Sequence, residues 1–172
     1  IDCRFPIQNV IRPQNKKFHD FRGYAGRISG GVFKKGDEVV VLPSGFHSKI
    51  KSIVTYNKKI DEAHAPMSVT MTLNDDFDIS RGDMIVRENN QPRILKEIEL
   101  MVCWLDENPL IEKGKYTVKH TSKEVRGIIK EILYKIDINT LHRNVEDRKI
   151  NCNDIARITI KLSQPLLVDK YN

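Results

Sequence analysis

Short β-forming runs, separated by turn residues at fairly regular spacing, most constrain the fold of this 172-residue sequence. In residues 67–73 every second residue is apolar, which is the period of a half-buried strand. Comparable runs occupy residues 4–11, 38–42, 49–56, 84–86, 94–105, 115–121 and 154–162. The pattern predicts an all-β protein of hairpins, in which closure into barrels would remove exposed sheet edges.

A polar stretch divides these runs into two sets. Asn89-Asn90-Gln91-Pro92 has the composition of a linker, and its proline disfavours helix in the residue before it. We therefore predict two domains, residues 1–91 and residues 92–172.

Residues 125–138 fit two different patterns. Apolar residues recur at helical spacing, and Thr121 with Glu124 would form a capping box before them; these apolar residues are Val125, Ile128, Ile129, Ile132, Leu133 and Ile136. The same stretch also alternates in the manner of a strand from Ile132 to Ile138, and Gly127 weakens a helix. Periodicity alone leaves helix and strand open here.

Composition and charge exclude several classes of protein. The sequence is 40% hydrophobic, but no apolar run approaches the roughly 18 residues of a membrane-spanning helix. Cys3, Cys103 and Cys152 lack the spacing of a disulfide scaffold or zinc site and indicate reduced thiols in the cytoplasm. The net charge of +6 is spread along the chain, so it does not predict a nucleic-acid partner.

Motifs for catalysis and nucleotide binding are incomplete. Residues 31–36 have the G-x-x-x-x-G spacing of a phosphate loop, but Asp37 and Glu38 follow where Lys and Ser or Thr are required. A β-turn between two strands explains these glycines better. The sequence also lacks the G-x-S-x-G pattern of a nucleophile elbow. We therefore predict no catalytic, cofactor-binding or metal-binding residue in this chain.

Residues 22–37 resemble the second-domain barrel of translational GTPases, where glycines permit close strand crossing and a hairpin turn. A second resemblance covers almost the whole chain and is to the large, GTPase subunit of bacterial sulfate adenylyltransferase. Its strongest blocks are Asp20-Phe21-Arg22-Gly23-Tyr24-Ala25-Gly26 and Ile79-Ser80-Arg81-Gly82-Asp83. Further matching segments are Phe5-Pro6-Ile7-Gln8, Arg12-Pro13, Leu42-Pro43-Ser44-Gly45, Trp104-Leu105, Pro109-Leu110, Asp137-Ile138-Asn139 and Pro165-Leu166.

The resemblance implies two consecutive closed β-barrels of the elongation-factor-Tu domain 2 and domain 3 type, with about six strands each. They would follow a G domain that lies outside this sequence, and the start at Ile1 without Met agrees with a truncated chain. The resemblance also favours strand over residues 125–138. It leaves open whether an adenylylsulfate kinase domain follows Asn172.

The family's chemistry implies a role without catalysis for this segment. In that family a heterodimer makes adenosine 5′-phosphosulfate and pyrophosphate from ATP and sulfate, driven by GTP hydrolysis. The ATP and sulfate chemistry belongs to the small subunit, and GTP and Mg²⁺ belong to the G domain. We expect this chain, inactive alone, to couple its own G domain to the small ATP-binding subunit in the cytoplasm. The alternatives are an RNA-binding barrel pair of an elongation factor that holds aminoacyl-tRNA, and a protein-interaction module without a sulfur role.

Five residues are candidates for a partner interface. Phe21, Arg22 and Tyr24 combine aromatic area with a guanidinium group, which are types enriched at interface hot spots. Arg81 and Asp83 flank a turn and form a second candidate group. Each has a structural alternative, since an aromatic ring can fill the barrel, Arg22 can hold a turn carbonyl, and the other two can stabilise their turn.

Overall fold

The computed structural model describes residues 2–12, 22–56 and 58–170. All the regular secondary structure in these residues consists of β-strands. The all-β prediction is therefore confirmed. Within this part of the chain, no helix has the length and apolarity needed to cross a membrane. The strands are β1 Arg4–Ile11, β2 Gly23–Arg27, β3 Val32–Lys34, β4 Glu38–Leu42, β5 Phe46–Thr55, β6 Lys58–Ile60, β7 Glu62–His64, β8 Ser68–Leu73, β9 Met84–Arg87, β10 Arg93–Cys103, β11 Lys115–His120, β12 Lys123–Ile136, β13 Arg143–Asn144 and β14 Ile155–Val168.

The ambiguous stretch forms strand β12, paired antiparallel with β14. Val125, Ile129 and Ile132 are buried, although a regular strand would bury residues an even number apart. The register shifts between Ile129 and Glu131, as in a β-bulge, and this shift moves Ile132 onto the buried face. A bulged strand thus buries residues at i, i+4 and i+7, which is the spacing that also indicates a helix.

Gly127 of β12 lies at a close approach between neighbouring side chains. A Cβ atom there would lie 2.6 Å from Cδ1 of Ile160 and 3.1 Å from Cγ2 of Val118. Gly127 therefore leaves room for packing within the sheet, which explains a glycine in the middle of a strand.

The described residues divide into two compact units. The first comprises residues from 1–93, 120–123 and 167–172, and the second comprises 94–119 and 124–166. In the first unit the strands pair in the order β4-β9-β1-β2-β8-β5-β6, with β5 also paired to β4, and β3 pairs with β7. In the second unit the order is β10-β14-β12-β11, with β13 paired to β12. The assignment of 1–91 and 92–172 as two barrel domains stays a prediction.

The core of the first unit is built by cross-strand neighbours. Tyr24 of β2 lies opposite Met71 of β8, and Met71 lies opposite Ile53 of β5; all three are at most 1% exposed. The rings of Phe5 and Phe33 pack edge to face, with centroids 6.3 Å apart.

Gly26 sits where strands β1 and β2 cross closely. It pairs with Ile7, and a Cβ atom there would overlap the backbone carbonyl oxygen of Pro6 and lie 3.3 Å from the Phe5 ring. Because a backbone carbonyl held in a sheet cannot move aside cheaply, the second Gly of the R-G-Y-A-G block is required sterically.

We expect Gly26→Ala to lower the free energy of unfolding by about 1–3 kcal/mol through overpacking. Urea unfolding followed by circular dichroism measures this loss. The control is Ser68→Ala on β8, an exposed strand position expected to change stability by less than about 0.5 kcal/mol. Equal stability of Gly26→Ala and the unsubstituted protein would contradict the steric argument.

Arg4 forms a buried charged cluster in the first unit, with a side chain that is only 8% exposed. Its Nε and Nη2 donate to the two carboxylate oxygens of Asp169, at 2.9 and 2.7 Å. Its Nη1 donates to the carbonyl oxygens of Cys3 and Asn90, at 2.9 and 2.6 Å, and to Oδ1 of Asn90 at 2.8 Å. The guanidinium therefore joins strand β1 to the turn after β9 and to the residue that follows β14.

Asn90, which the sequence analysis assigned to a linker, makes hydrogen bonds to several residues. Besides its bonds to Arg4, its Oδ1 accepts from the Cys3 amide at 3.2 Å and its Nδ2 donates to Asp2 at 2.8 Å. The polar composition of residues 89–92 thus reflects, at Asn90, a hydrogen-bonding role rather than only a solvated linker.

We expect Asp169→Asn to lower the free energy of unfolding by about 1–3 kcal/mol, because it removes the countercharge of a buried guanidinium. The control is Asp78→Asn, whose contact with Arg12 spans 3.5 Å between side chains that are 92% and 53% exposed. That exposed pair is expected to contribute less than about 0.5 kcal/mol. Equal urea midpoints for the two variants would show that the Arg4 cluster does not stabilise the fold.

Ion pairs link strands of the second unit, including β10 and β12, which lie on either side of β14. Lys130 Nζ lies 2.6 Å from a Glu97 carboxylate oxygen, and Arg157 Nε lies 2.5 Å from Glu99. Lys135 binds Asp154 at 2.6 Å and Asp147 at 3.3 Å, and the hydrogen bond to Asp154 is the main cause of its raised pKa. The Lys135 pairs, made by a side chain that is 19% exposed, tie β12 to the segments before β14 and after β13, whereas the two more exposed pairs contribute little to stability.

Candidate partner-binding site

A groove of about 960 Å³ lies on the first unit. Strands β5 and β8 contribute Ser52 and Thr72, whose hydroxyl oxygens are 2.7 Å apart. The turn at Lys35-Gly36 and residues 74–76 also line the groove, as do Lys59 and Ile60 of β6. The sequence interpretation of residues 31–36 as a β-turn is only partly correct, since Val32–Lys34 form strand β3 and the turn before β4 is confined to Lys35 and Gly36, where Gly36 takes a positive φ of 89°.

Arg22 lines this groove and already holds two groups of the chain. Its Nε lies 2.8 Å from a carboxylate oxygen of Asp76, and its Nη1 donates to the Phe77 carbonyl oxygen at 3.0 Å. Its side chain is 31% exposed. The structural alternative, in which Arg22 holds a turn carbonyl, therefore describes its present contacts, while its contact with a partner stays a prediction.

Tyr24 also lines the groove, although its ring belongs to the core and is 1% exposed. Its hydroxyl is buried and has no hydrogen-bond partner among the described residues. Burial raises the pKa of this hydroxyl, and the nearby Asp76 carboxylate adds to the rise. The hydroxyl thus remains a proton donor. Phe21, the third member of this candidate group, lies outside the described residues.

Arg81 and Asp83 belong to the turn before β9 and do not line the groove. Arg81 donates to the Gln8 carbonyl oxygen at 3.1 Å, and Asp83 accepts from the Ser80 amide at 2.9 Å. Between them, a Cβ atom on Gly82 would lie 3.2 Å from the Lys123 side chain. The turn therefore packs against residue 123 of the same unit, and both candidates have internal partners.

Burial raises the pKa of Asp83, against the opposing effects of the Ser80 amide and the Lys123 charge; Asp78 adds to the rise. The folded protein therefore favours the protonated carboxyl more than the unfolded chain does. The stability that the protonated Asp83 carboxyl contributes to the folded protein is fully present below the pKa of the unfolded chain, near 3.8. It is lost as pH rises through the higher pKa of the folded protein.

We expect Asp83→Asn, which keeps an acceptor for the Ser80 amide, to gain stability relative to the unsubstituted protein as pH rises from 3 to 6. Urea unfolding of both proteins across this range measures the difference. A difference that stays constant, or moves in favour of aspartate, would contradict the direction of the shift.

Sequence reasoning missed the lysines of the groove. Lys35, Lys51 and Lys59 all line it, but they are scattered over 25 positions and resemble an ordinary charged surface. The structure brings them together through the β5–β6 pairing, where Val54 lies opposite Lys59, and through the turn after β3. The described residues hold no cluster of three or more His, Cys, Asp or Glu side chains placed to bind a metal.

Residues 97–172 match the family described as GTP-eEF1A C-terminal domain-like. The chain is 46% identical to the bifunctional enzyme CysN/CysC of Mycobacterium tuberculosis H37Rv over 172 residues, or 99% of this chain. It is 40% identical to sulfate adenylyltransferase subunit 1 of Bacteroides thetaiotaomicron over 178 residues, again 99% of this chain. The predicted resemblance to the large subunit of bacterial sulfate adenylyltransferase is confirmed. The match spans 28% of the Mycobacterium protein and 36% of the Bacteroides protein.

Two solved structures, one of them a translation elongation factor, share this fold. Sup35 in complex with GDP matches with a TM-score of 0.84 at 14% identity, over 99% of this chain and 41% of that chain. Elongation factor SelB of Methanococcus maripaludis in its apo form matches with a TM-score of 0.77 at 19% identity, over 98% and 37%. At these identities the similarity concerns the fold alone.

Proposed function

We propose that this chain is the part of a sulfate adenylyltransferase GTPase subunit that couples its G domain to the small ATP-binding subunit. The observation that best supports this proposal is the 40–46% identity to sulfate adenylyltransferase subunit 1 and CysN/CysC proteins along essentially the whole chain. In this proposal the parent complex makes adenosine 5′-phosphosulfate and pyrophosphate from ATP and sulfate in the cytoplasm, driven by GTP hydrolysis. GTP and Mg²⁺ bind in the G domain, and this segment supplies no catalytic group.

The proposal includes two closed barrels, residues 1–91 and 92–172. For the first, the pairing path β4-β9-β1-β2-β8-β5 returns to its start because β5 pairs with β4 as well as β8. Such a return gives every strand of the path two neighbours, which closure requires. For the second, support comes from the shared fold with translation factors and from the family match over residues 97–172.

Coupling demands that these domains make different contacts in two states of the complex. A ligand shifts a conformational equilibrium only by its difference in affinity for the two states. GTP bound in the G domain therefore has to change which surface of this segment faces the small subunit, or how tightly it does so.

Co-expression of the complete parent protein with its candidate small subunit tests this function. We expect the two proteins to copurify and to release pyrophosphate from ATP in the presence of sulfate, faster with GTP than with GDP. Reactions without sulfate and reactions of each subunit alone are the controls.

Two results would contradict the proposal. One is the absence of sulfate-dependent pyrophosphate release, whether or not the two proteins form a complex. The other is a salt-sensitive gel shift with aminoacyl-tRNA, which would favour the elongation-factor alternative.

A further inference from the structure

The groove on the first unit contains a hydrogen-bond donor without a partner. Tyr24 is 1% exposed and its hydroxyl is buried. No described residue accepts a hydrogen bond from this hydroxyl. Buried hydroxyls are normally hydrogen-bonded, because an unpaired one loses its hydrogen bonds to water and gains none from the protein. Tyr24 lines the groove, and because its hydroxyl is buried, a ligand bound there would supply the missing acceptor after neighbouring side chains move aside.

The uncommitted charge in the groove is positive. Lys35, Lys51 and Lys59 have exposed side chains and make no ion pair with any described residue. Of the three carboxylates that line the groove, only Asp76 is paired with a cation, Arg22; Asp75 accepts from the neutral Ser48 hydroxyl at 2.7 Å and keeps its charge. Only Asp61 offers a carboxylate without a side-chain partner in this part of the described chain. The three lysines against the charges of Asp61 and Asp75 leave a small positive excess, which favours a ligand whose negative groups can be placed on the lysines.

The shape of the groove favours an extended ligand over a single small anion. Its volume of about 960 Å³ is at the upper end of the range for small-molecule sites. Val54 and Ile60 provide apolar lining between the lysines. Strand β6 ends the path of pairings in its sheet and pairs only with β5 among the described strands, so its outer edge can accept a further strand.

We propose that this groove binds an extended acidic segment of a partner protein, with carboxylates on the three lysines and one acceptor on the Tyr24 hydroxyl. Carboxylates spaced along a peptide can avoid the like charges of Asp61, Asp75 and Asp76 more readily than the evenly repeated charges of a phosphate backbone can. The groove's own carboxylates thus disfavour a nucleic acid. This inference is independent of the sulfate role, because it concerns only the chemistry of the groove.

The 172-residue chain can be titrated against a fluorescein-labelled decapeptide of alternating glutamate and valine, with fluorescence anisotropy as the signal. A decapeptide of alternating glutamine and valine is the neutral probe. We expect the glutamate peptide to bind more tightly, and its affinity to fall with added salt. Amide shifts in nuclear magnetic resonance spectra should move at Tyr24, Lys51 and Lys59.

Two variants separate the groove from general charge. The double variant Lys51→Glu and Lys59→Glu should weaken peptide binding at least about ten-fold. The matched control, Lys96→Glu with Lys161→Glu, makes the same charge change at exposed lysines outside the groove and should weaken binding less than about two-fold.

Tyr24→Phe keeps the ring and removes only the hydroxyl. We expect it to weaken binding of the glutamate peptide about five-fold. The same variant should unfold at an equal or higher temperature, because it removes an unpaired buried donor. A purely structural role of Tyr24 would instead lower the unfolding temperature and leave the affinity unchanged.

The outcomes that overturn the proposal are distinct. They are no binding of the glutamate peptide at about 1 mM, equal binding of the glutamine peptide, or equal losses in the groove and control variants. Tighter binding of a 20-nucleotide oligouridine, lost in the groove variant alone, would identify a nucleic-acid site instead. None of these results bears on pyrophosphate release by the parent complex.

Discussion

The buried guanidinium of Arg4 is the interaction on which the first unit depends. A charge at this depth is tolerated only when it is paired and fully hydrogen-bonded, and Asp169, Cys3 and Asn90 supply those partners from three parts of the chain. Leu167, two residues before Asp169, packs with a small cluster that also contains Val40, Leu42, Met84 and Val86. The first unit therefore requires residues from the end of the sequence. A fragment that stops at residue 91 would retain Arg4 without its carboxylate.

The sequence predicted several strands well because turn residues mark where they end, even though the burial of β1 and β4 does not alternate with a period of two. Strands β1 and β4 have the predicted bounds, and β8 begins one residue after the predicted start. Strands β3, β6 and β7 have three residues each, too few for any period, and they are defined by their partners. In β12 a bulge changed the period itself. Its conformation followed from the resemblance to a family, because the local pattern fits both structures.

The candidate site was harder to predict because residue type does not reveal whether a side chain already has an internal partner. Tyrosine is a residue type enriched at interfaces, yet the Tyr24 ring lies in the core and only its hydroxyl lacks a hydrogen-bond partner among the described residues. Arg22 and Arg81 each donate to a backbone carbonyl oxygen. The three groove lysines lie together through a strand pairing and a turn, and pairings of this kind cannot be derived from a local pattern.

Rigid packing limits how this chain could transmit a signal. Phe5, Tyr24 and Met71 are almost fully buried, and a densely packed interior of this kind resists continuous deformation. A change of state elsewhere in a complex would therefore displace the first unit as a body, with the energy difference arising at its surface. Arg22, Arg81 and Asp83 would have to break internal contacts before they could contribute. Lys35, Lys51 and Lys59 carry no such cost, so differential binding at the surface of this unit can arise most readily in the groove.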